Sequence, residues 1–458
     1  MTALTNAQMR DVETLIHPYT NLNTHRSAGP LILERGKGVY VWDNTGKRYI
    51  EGMAGLWCTA LGYGNRELIE AAREQMERLS FTHIFGGKSH DPAIELAERI
   101  KEISPAPASK VFFTCSGSEA NDTQIKLAWY YNNARGKPEK KKIISRQRAY
   151  HGVTVATASL TGLLANHRDF DLPIDRFIHT GSPHYYHDAE AGETEQDFSE
   201  RRARELQEMI EKEGPDTIAA FIAEPVLGAG GVVVPPDGYF EAIQAVLDKY
   251  DIQFIVDEVI CGFGRTGNMF GSQTYKIRPD SISVAKAITS AYAPLGALTV
   301  SEDVYQAMID ESRKIGTFGH GYTYSGHPLS TALGVKTLEI YKRDDIVAKV
   351  RKVAPLFQKR LAALGEHPLV GEARGVGLIG AVELVADKKV KRNFDAKQGV
   401  AAKAAMFVQE EGLIVRNIFN DTLTLCPPLI ISEDEIGDMF DALERGLDRT
   451  ATWVKKQG

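Results

Sequence analysis

Cysteine is scarce: four residues in 458, Cys58, Cys115, Cys261 and Cys426. None forms a CxxC pair or a zinc-type spacing, so neither a disulfide framework nor a structural zinc site is expected. They read as reduced, buried thiols of a cytoplasmic protein. No run of about 18 apolar residues occurs, and no membrane span is expected. The opening stretch MTALTNAQMRDVETLIHPYTNL carries early acidic groups and no apolar centre, which argues against a secretory signal. Excess positive charge is missing too. With 54 Lys and Arg against 60 Asp and Glu, the net charge is -6, and nothing favours nucleic acid or an anionic membrane as a partner. Internal repeats and low-complexity tracts are absent. What remains is ordinary globular composition, 43% hydrophobic and 25% charged, enough for a core of normal size.

Through the middle of the chain, apolar strand-like runs alternate with amphipathic helices. KVFFTCSG reads as a strand stopping at Gly117, and SEANDTQIKLAWYYNNA as the helix after it. KKIISRQRAYHG, DTIAAFIAEPV, IQFIVDEV and PDSISVAK read as further strands. RARELQEMIEKEG and DGYFEAIQAVLDKY have helical periodicity. Near-continuous apolar strands with helices between them predict an α/β domain with a mostly parallel sheet covered on both faces. The last third changes to a mixed α+β pattern. It opens with a long helical stretch from Ser330 and ends in a helix that Ser432 and Glu435 start as a capping box. Near the N-terminus, GVYVWDNTGKRYIEG predicts a hairpin turning at Asn44–Thr45–Gly46. That hairpin is too small to fold alone and is expected to pack with the C-terminal part. The division is residues 1–65 and 336–458 in a small domain and 66–335 in a large one.

In doubly wound sheets, ligands bind outside the carboxyl ends of the strands. After VFFTC come Ser116, Gly117, Ser118 and Glu119, opening a helix. Glycine and serine there expose N–H groups and a hydroxyl, which suits a phosphate, although a plain serine N-cap has the same letters. After QFIV come Asp257 and Glu258. A carboxylate ending an apolar strand needs a partner, and a protonated pyridine nitrogen would be one. Glu224 follows IAAFIA. After SISVA comes Lys286, the one charge in SVAKAITSAYAPLGA. Four strand ends thus offer a phosphate nest, carboxylates and an isolated amine. Burial would lower the pKa of that amine and make it nucleophilic.

GFGRTG, Gly262 to Gly267, matches GxGxxG. A dinucleotide fingerprint needs a strand running into the first glycine and an amphipathic helix after the last. NMFGSQTYKIRP is no such helix, so a glycine-rich turn carrying Arg265 is the preferred reading and a nicotinamide oxidoreductase the distant alternative. His320 and His327 flank GYTYSG with a spacing that fits no common zinc motif, and no metal is expected.

Taken together, SGSEAND, AYHG, AEPV, DEVICGFGRTG, SVAKAITSAY and GHGYTYSGHP resemble the class III pyridoxal-phosphate aminotransferases over nearly the whole chain. MAGLWC and HPYT make the chain most similar to the ω-aminotransferases that use pyruvate as acceptor, including amine–, β-alanine– and taurine–pyruvate enzymes. The resemblance implies a fold-type I transferase, a homodimer with shared active sites that also allows a tetramer, and pyridoxal 5′-phosphate as cofactor. Lys286 would form the internal aldimine and Asp257 would pair with the pyridine nitrogen, with Glu224 supporting that network. Val259 and Tyr150 would lie on the two ring faces. Gly117 and Ser118 would hold the phosphate, joined by Thr323 from the partner subunit. Tyr19, Trp57, Val153 and, from across the dimer, Phe85 would shape the substrate pocket. Arg416 would bind the substrate carboxylate and swing aside for amines that lack one. The implied reaction is ping-pong transfer of an amino group from a primary amine or ω-amino acid to pyruvate. A same-fold enzyme using 2-oxoglutarate, of 4-aminobutyrate or ornithine type, is the alternative.

Overall fold

The computed structural model describes residues 4–419 and 421–457. The N-terminal strands are β1 (Leu33–Lys37), β2 (Tyr40–Asp43) and β3 (Arg48–Glu51). Between β2 and β3 the expected turn forms. Asp43 Oδ1 accepts the N–H groups of Thr45 and Lys47 at 2.9 and 3.0 Å and the Thr45 hydroxyl at 2.7 Å, and Gly46 takes a φ of 86°. The aspartate thereby satisfies backbone that the turn leaves unpaired.

Seven strands follow: β4 (Lys110–Thr114), β5 (Lys142–Arg146), β6 (Phe177–Thr180), β7 (Ile218–Ala223), β8 (Gln253–Asp257), β9 (Ser281–Val284) and β10 (Gly296–Val300). They form one sheet in the order β4-β10-β9-β8-β7-β5-β6. β5 to β9 pair in parallel. β7 is buried at every residue, which is why IAAFIA does not alternate. The sheet departs from an all-parallel arrangement at β10, antiparallel to both β4 and β9. Its sequence GALTV follows the lysine loop so closely that it carries no separate strand signal. Gly296 explains the close fit, since a Cβ there would lie 2.4 Å from the Ser116 carbonyl oxygen.

The long C-terminal helical stretch is two helices, Pro328–Arg343 and Ile346–Ala363. They break at Asp345, which takes a φ of 45° and accepts the Ala348 N–H at 3.3 Å as an N-cap. Residue 335 falls inside the first of them. Next come β11 (Val370–Val376), β12 (Ile379–Leu384), β13 (Leu413–Ile414), β14 (Arg416–Ile418) and β15 (Thr422–Leu425). β13 pairs in parallel with β3, so the N-terminal hairpin joins its sheet to the C-terminal part. The terminal helix Glu433–Lys455 begins at the Ser432–Glu435 capping box. Among the described residues no helix is long and apolar enough to cross a membrane.

Candidate active site

A cavity of about 1340 Å³ opens at the carboxyl ends of β7, β8 and β9 and at the start of the helix after β4. Gly117, Ser118, Tyr150, Glu224, Asp257, Val259, Lys286, Tyr19, Trp57 and Arg416 all line it. Ten residues picked from separate stretches of sequence therefore meet at one place. Ala291 and Ala293, the small residues beyond the lysine, line it as well. Phe85, Val153 and Thr323 do not. Phe85 and Val153 are 46% and 57% exposed, and Thr323 is exposed on the loop that ends at Pro328.

Lys286 starts a short 3-10 turn after β9 with a φ of 51°. That left-handed backbone is unusual for a residue with a Cβ and is found where surrounding structure enforces it. Its Nζ makes no hydrogen bond to the protein among the described residues and lies 5.6 Å from the Trp57 ring centroid. Burial pushes the amine pKa down, with Asp257 opposing that shift more than the other neighbours do. Asp257 ends β8 at 4% exposure. Its Oδ2 accepts Asn121 Nδ2–H at 2.7 Å and His151 Nδ1–H at 2.8 Å, and its Oδ1 accepts the Val259 N–H at 3.1 Å. Three donors fix the carboxylate, and none of them is a permanent cation. Glu224 is anchored by the N–H groups of Tyr150 and Gly228 at 3.0 and 2.9 Å, and burial raises its pKa.

At the other end of the cavity, Ser116 caps the helix Gly117–Ala134 by accepting the Glu119 N–H at 3.1 Å. Gly117 and Ser118 thus stand in its first turn, where N–H groups have no partner within the helix. Gly117 also packs against Val259, for a Cβ would approach Val259 Cγ2 to 2.9 Å. The free N–H groups at the helix start, the buried Asp257 carboxylate and the unpaired Lys286 amine, with Tyr150 and Val259 lining the same cavity, fit pyridoxal phosphate in charge and in kind.

Several residues of the site escape sequence reasoning. Asn121 and His151 hold Asp257 across 136 and 106 positions; both sit in quoted motifs, yet nothing in the letters assigns them this contact. Arg148 lines the cavity with its guanidinium 4.2 Å from the Phe419 ring centroid. Its Nε–H donates to the Gly230 carbonyl at 3.0 Å, and Nη1 meets His184 Nδ1. Burial lowers its pKa to about 10. Asn166 donates to the Tyr19 hydroxyl at 2.6 Å. Glu258, grouped with Asp257 in the sequence, points away from the cavity. It accepts the N–H groups of Gly271 and Ser272 and the Ser272 hydroxyl, and is structural. GFGRTG is a turn, and its Arg265 donates to the carbonyls of Leu378 and Pro427 at 2.9 and 2.6 Å, tying the loop to the C-terminal part. The helix that follows has four residues, and no dinucleotide site forms there.

Comparison with known proteins agrees with this geometry. The family described as "Aminotransferase class-III" matches residues 23–447. The ω-transaminase of Pseudomonas jessenii, solved in complex with PMP, superimposes with a TM-score of 0.97 at 51% identity, covering 99% of this chain and all of that one. Another solved form of that enzyme carries substitutions at a tryptophan, a phenylalanine and an arginine, engineered for synthesis of enantiopure bulky amines. An uncharacterized aminotransferase of Sinorhizobium fredii is 48% identical over 96% of this chain and 95% of its own length. The gamma aminobutyrate transaminase 3 of Solanum lycopersicum is 47% identical over 93% of this chain and 82% of its own. The match runs from residue 23 to residue 447, fold and kinship agree, and the chain belongs to the class III aminotransferases.

Proposed function

We propose that the enzyme moves an amino group from a primary amine or ω-amino acid to pyruvate. The cofactor is pyridoxal 5′-phosphate, which when bound supplies an electrophilic aldehyde and an electron-withdrawing ring. Lys286 Nζ, its pKa lowered by burial, takes a proton from the substrate carbon and returns it elsewhere as a general acid–base. Asp257, held by Asn121, His151 and the Val259 N–H, would present its charge to the ring nitrogen. The N–H groups of Gly117 and Ser118 would hold the phosphate. Tyr150 and Val259 would flank the ring, and Glu224 would support the Asp257 carboxylate.

The acceptor reading rests on one observation. Two arginines line the cavity, but only Arg416 lacks a side-chain hydrogen bond among the described residues. Arg148 gives Nε and Nη1 to the Gly230 carbonyl and His184 and lies over the Phe419 ring, and only its buried Nη2 is without a hydrogen bond. Arg416 is thus the cavity arginine with its whole guanidinium free, which suits a monocarboxylate such as pyruvate. A dicarboxylate such as 2-oxoglutarate brings a second charge, for which the second cavity arginine, Arg148, has its Nε and Nη1 already engaged. Relatives named as gamma aminobutyrate transaminases support ω-amino acids among the donors, and the engineered positions of the Pseudomonas jessenii enzyme are of the same residue types as Trp57, Phe85 and Arg416.

The exposed Phe85 and Thr323 support a homodimer in which one protomer's Phe85 and Thr323 complete its partner's site, whereas Val153, assigned to the chain's own pocket, lies outside the cavity and is not kept as a wall of it. The small domain is taken as residues 1–65 and 336–458, and the enzyme is assigned to the cytoplasm. Steady-state rates with pyruvate and with 2-oxoglutarate, using one amine donor, test the acceptor. Pyruvate should be used with the higher kcat/KM, and preference for 2-oxoglutarate overturns the assignment.

A further inference from the structure

Trp57 is held in an expensive conformation. The segment after β3 reads Gly52-Met53-Ala54-Gly55-Leu56-Trp57, and Ala54 and Trp57 take φ values of 46° and 64°. Gly55 sits at φ 69° and ψ −91°. Two non-glycine residues in the left-handed region are strained and persist only where other contacts over-determine them. The Trp57 indole is only 4% exposed, and its Nε1–H is buried with no hydrogen-bond partner.

The contacts that fix this turn converge on Glu51, the last residue of β3, which is 2% exposed. Its Oε1 accepts the Met53 N–H at 3.1 Å. Its Oε2 accepts the Gly55 N–H and the Tyr63 hydroxyl. The two backbone bonds bracket Ala54, where the chain first turns left-handed. No cation pairs with Glu51 among the described residues, so its charge rests on these three donors.

We infer that Glu51 is a positioning and specificity-determining residue. By clamping the N–H groups of Met53 and Gly55, its carboxylate holds Trp57 against the cavity and sets the size of amine the site admits. The inference rests on the reading of Trp57 as a substrate wall. Protonation would leave a neutral carboxyl whose O–H can turn toward the Tyr63 hydroxyl oxygen, and the backbone N–H groups of Met53 and Gly55 would lose their charged acceptor, which weakens the bonds that hold the turn. Burial pushes this carboxyl up to about 7, so the clamp loosens as pH falls through neutrality. The other titratable groups facing the turn are Tyr63, Cys58, Cys426 and Lys286. Burial raises the first three, away from neutral, and Lys286 requires a control.

The test has two arms. In the holoenzyme, Glu51→Gln should change the ratio of kcat/KM for 1-phenylethylamine over 2-aminobutane by about 10-fold, chiefly through KM, the discrimination typical of a methylene's worth of pocket. The same substitution in a Trp57→Gly background should leave that ratio unmoved. An equal loss for both amines, or an undiminished effect without Trp57, overturns the inference. In the second arm, tryptophan emission is followed from pH 5 to 9 as the difference between wild type and Trp57→Phe. A transition near 7 is expected in wild type and in Lys286→Ala, and none in Glu51→Gln. Tyr63→Phe, which removes one donor and keeps the backbone, should move it upward and serves where Glu51→Gln fails to fold. A flat wild-type titration, or a Tyr63→Phe transition that does not shift, refutes the clamp. This arm needs no turnover, so it stands apart from any failure of the transamination reading.

Discussion

Replacing Arg416 by alanine separates the two halves of the reaction. Arg416 sits on β14, half-buried, with its guanidinium 5.9 Å from the Tyr19 ring centroid and, among the described residues, no carboxylate paired to it. Burial lowers its pKa, which Tyr150 and Tyr19 partly offset, yet an arginine stays charged at any working pH. Losing one partner of a hydrogen-bonded charge pair costs about 2–5 kcal/mol when fully desolvated, and the half-buried setting places the loss near the lower end. About 2 to 3 kcal/mol corresponds to roughly 30- to 150-fold in kcat/KM. That loss should fall on the pyruvate half-reaction alone. A donor without a carboxylate, such as 1-phenylethylamine, should retain its half-reaction rate to within about 3-fold, because it never meets the guanidinium as an anion. Single-turnover absorbance, started from each form of the loaded enzyme, reads the halves separately. If both halves fall together, or if pyruvate is unaffected, Arg416 does not bind the acceptor carboxylate.

Lys286→Ala should remove the visible cofactor band and turnover, and a variant retaining both removes Lys286 from the chemistry. Asp257→Asn has one acceptor oxygen for three donors. With the amide oxygen kept toward Asn121 and His151, the amide N–H₂ confronts the Val259 N–H. A lost charged hydrogen bond, at about 1.5–3 kcal/mol, predicts cofactor retention weaker by roughly 10- to 150-fold, measured by dialysis and absorbance. Wild-type retention would count against the carboxylate's role. Glu258, pushed up to about 7 by burial from an ordinary value near 4.5, stabilises the fold fully below about pH 4.5 and loses that contribution as pH rises through 7. The melting temperature of wild type relative to Glu258→Gln should therefore fall between pH 5 and 8, and parallel curves for the two proteins would show the shift to be absent.

The legible part of this protein is what lies at the ends of its strands. β7, β8 and β9 are neighbours in the sheet, so Glu224, Asp257 and Lys286, each just at or past the end of an apolar run, come together by a rule that needs no structure. The Asn44–Gly46 turn and the Ser432–Glu435 cap are equally local. Asn166 beneath Tyr19 and Phe419 over Arg148 are not. These pairs lie 147 and 271 positions apart, and no periodicity records which loops meet above a sheet. Glu258 shows the converse limit. It shares its strand end with Asp257, but side chains alternate along a strand, and only the fold reveals which of two adjacent carboxylates faces the cavity.

Phe85, Val153 and Thr323 mark a different boundary. Ten residues assigned through the family resemblance meet inside one chain, and these three stand outside its cavity. The resemblance assigns Phe85 and Thr323 to the partner's site, and a Cβ on Gly321 would lie 2.8 Å from Phe85 Cε1, so the Phe85 ring packs at the base of the loop carrying Thr323. A second copy seated on that face would receive both residues together. One association would then close the pocket with Phe85 and complete the phosphate cradle with Thr323, linking substrate selection to cofactor retention through a single interface.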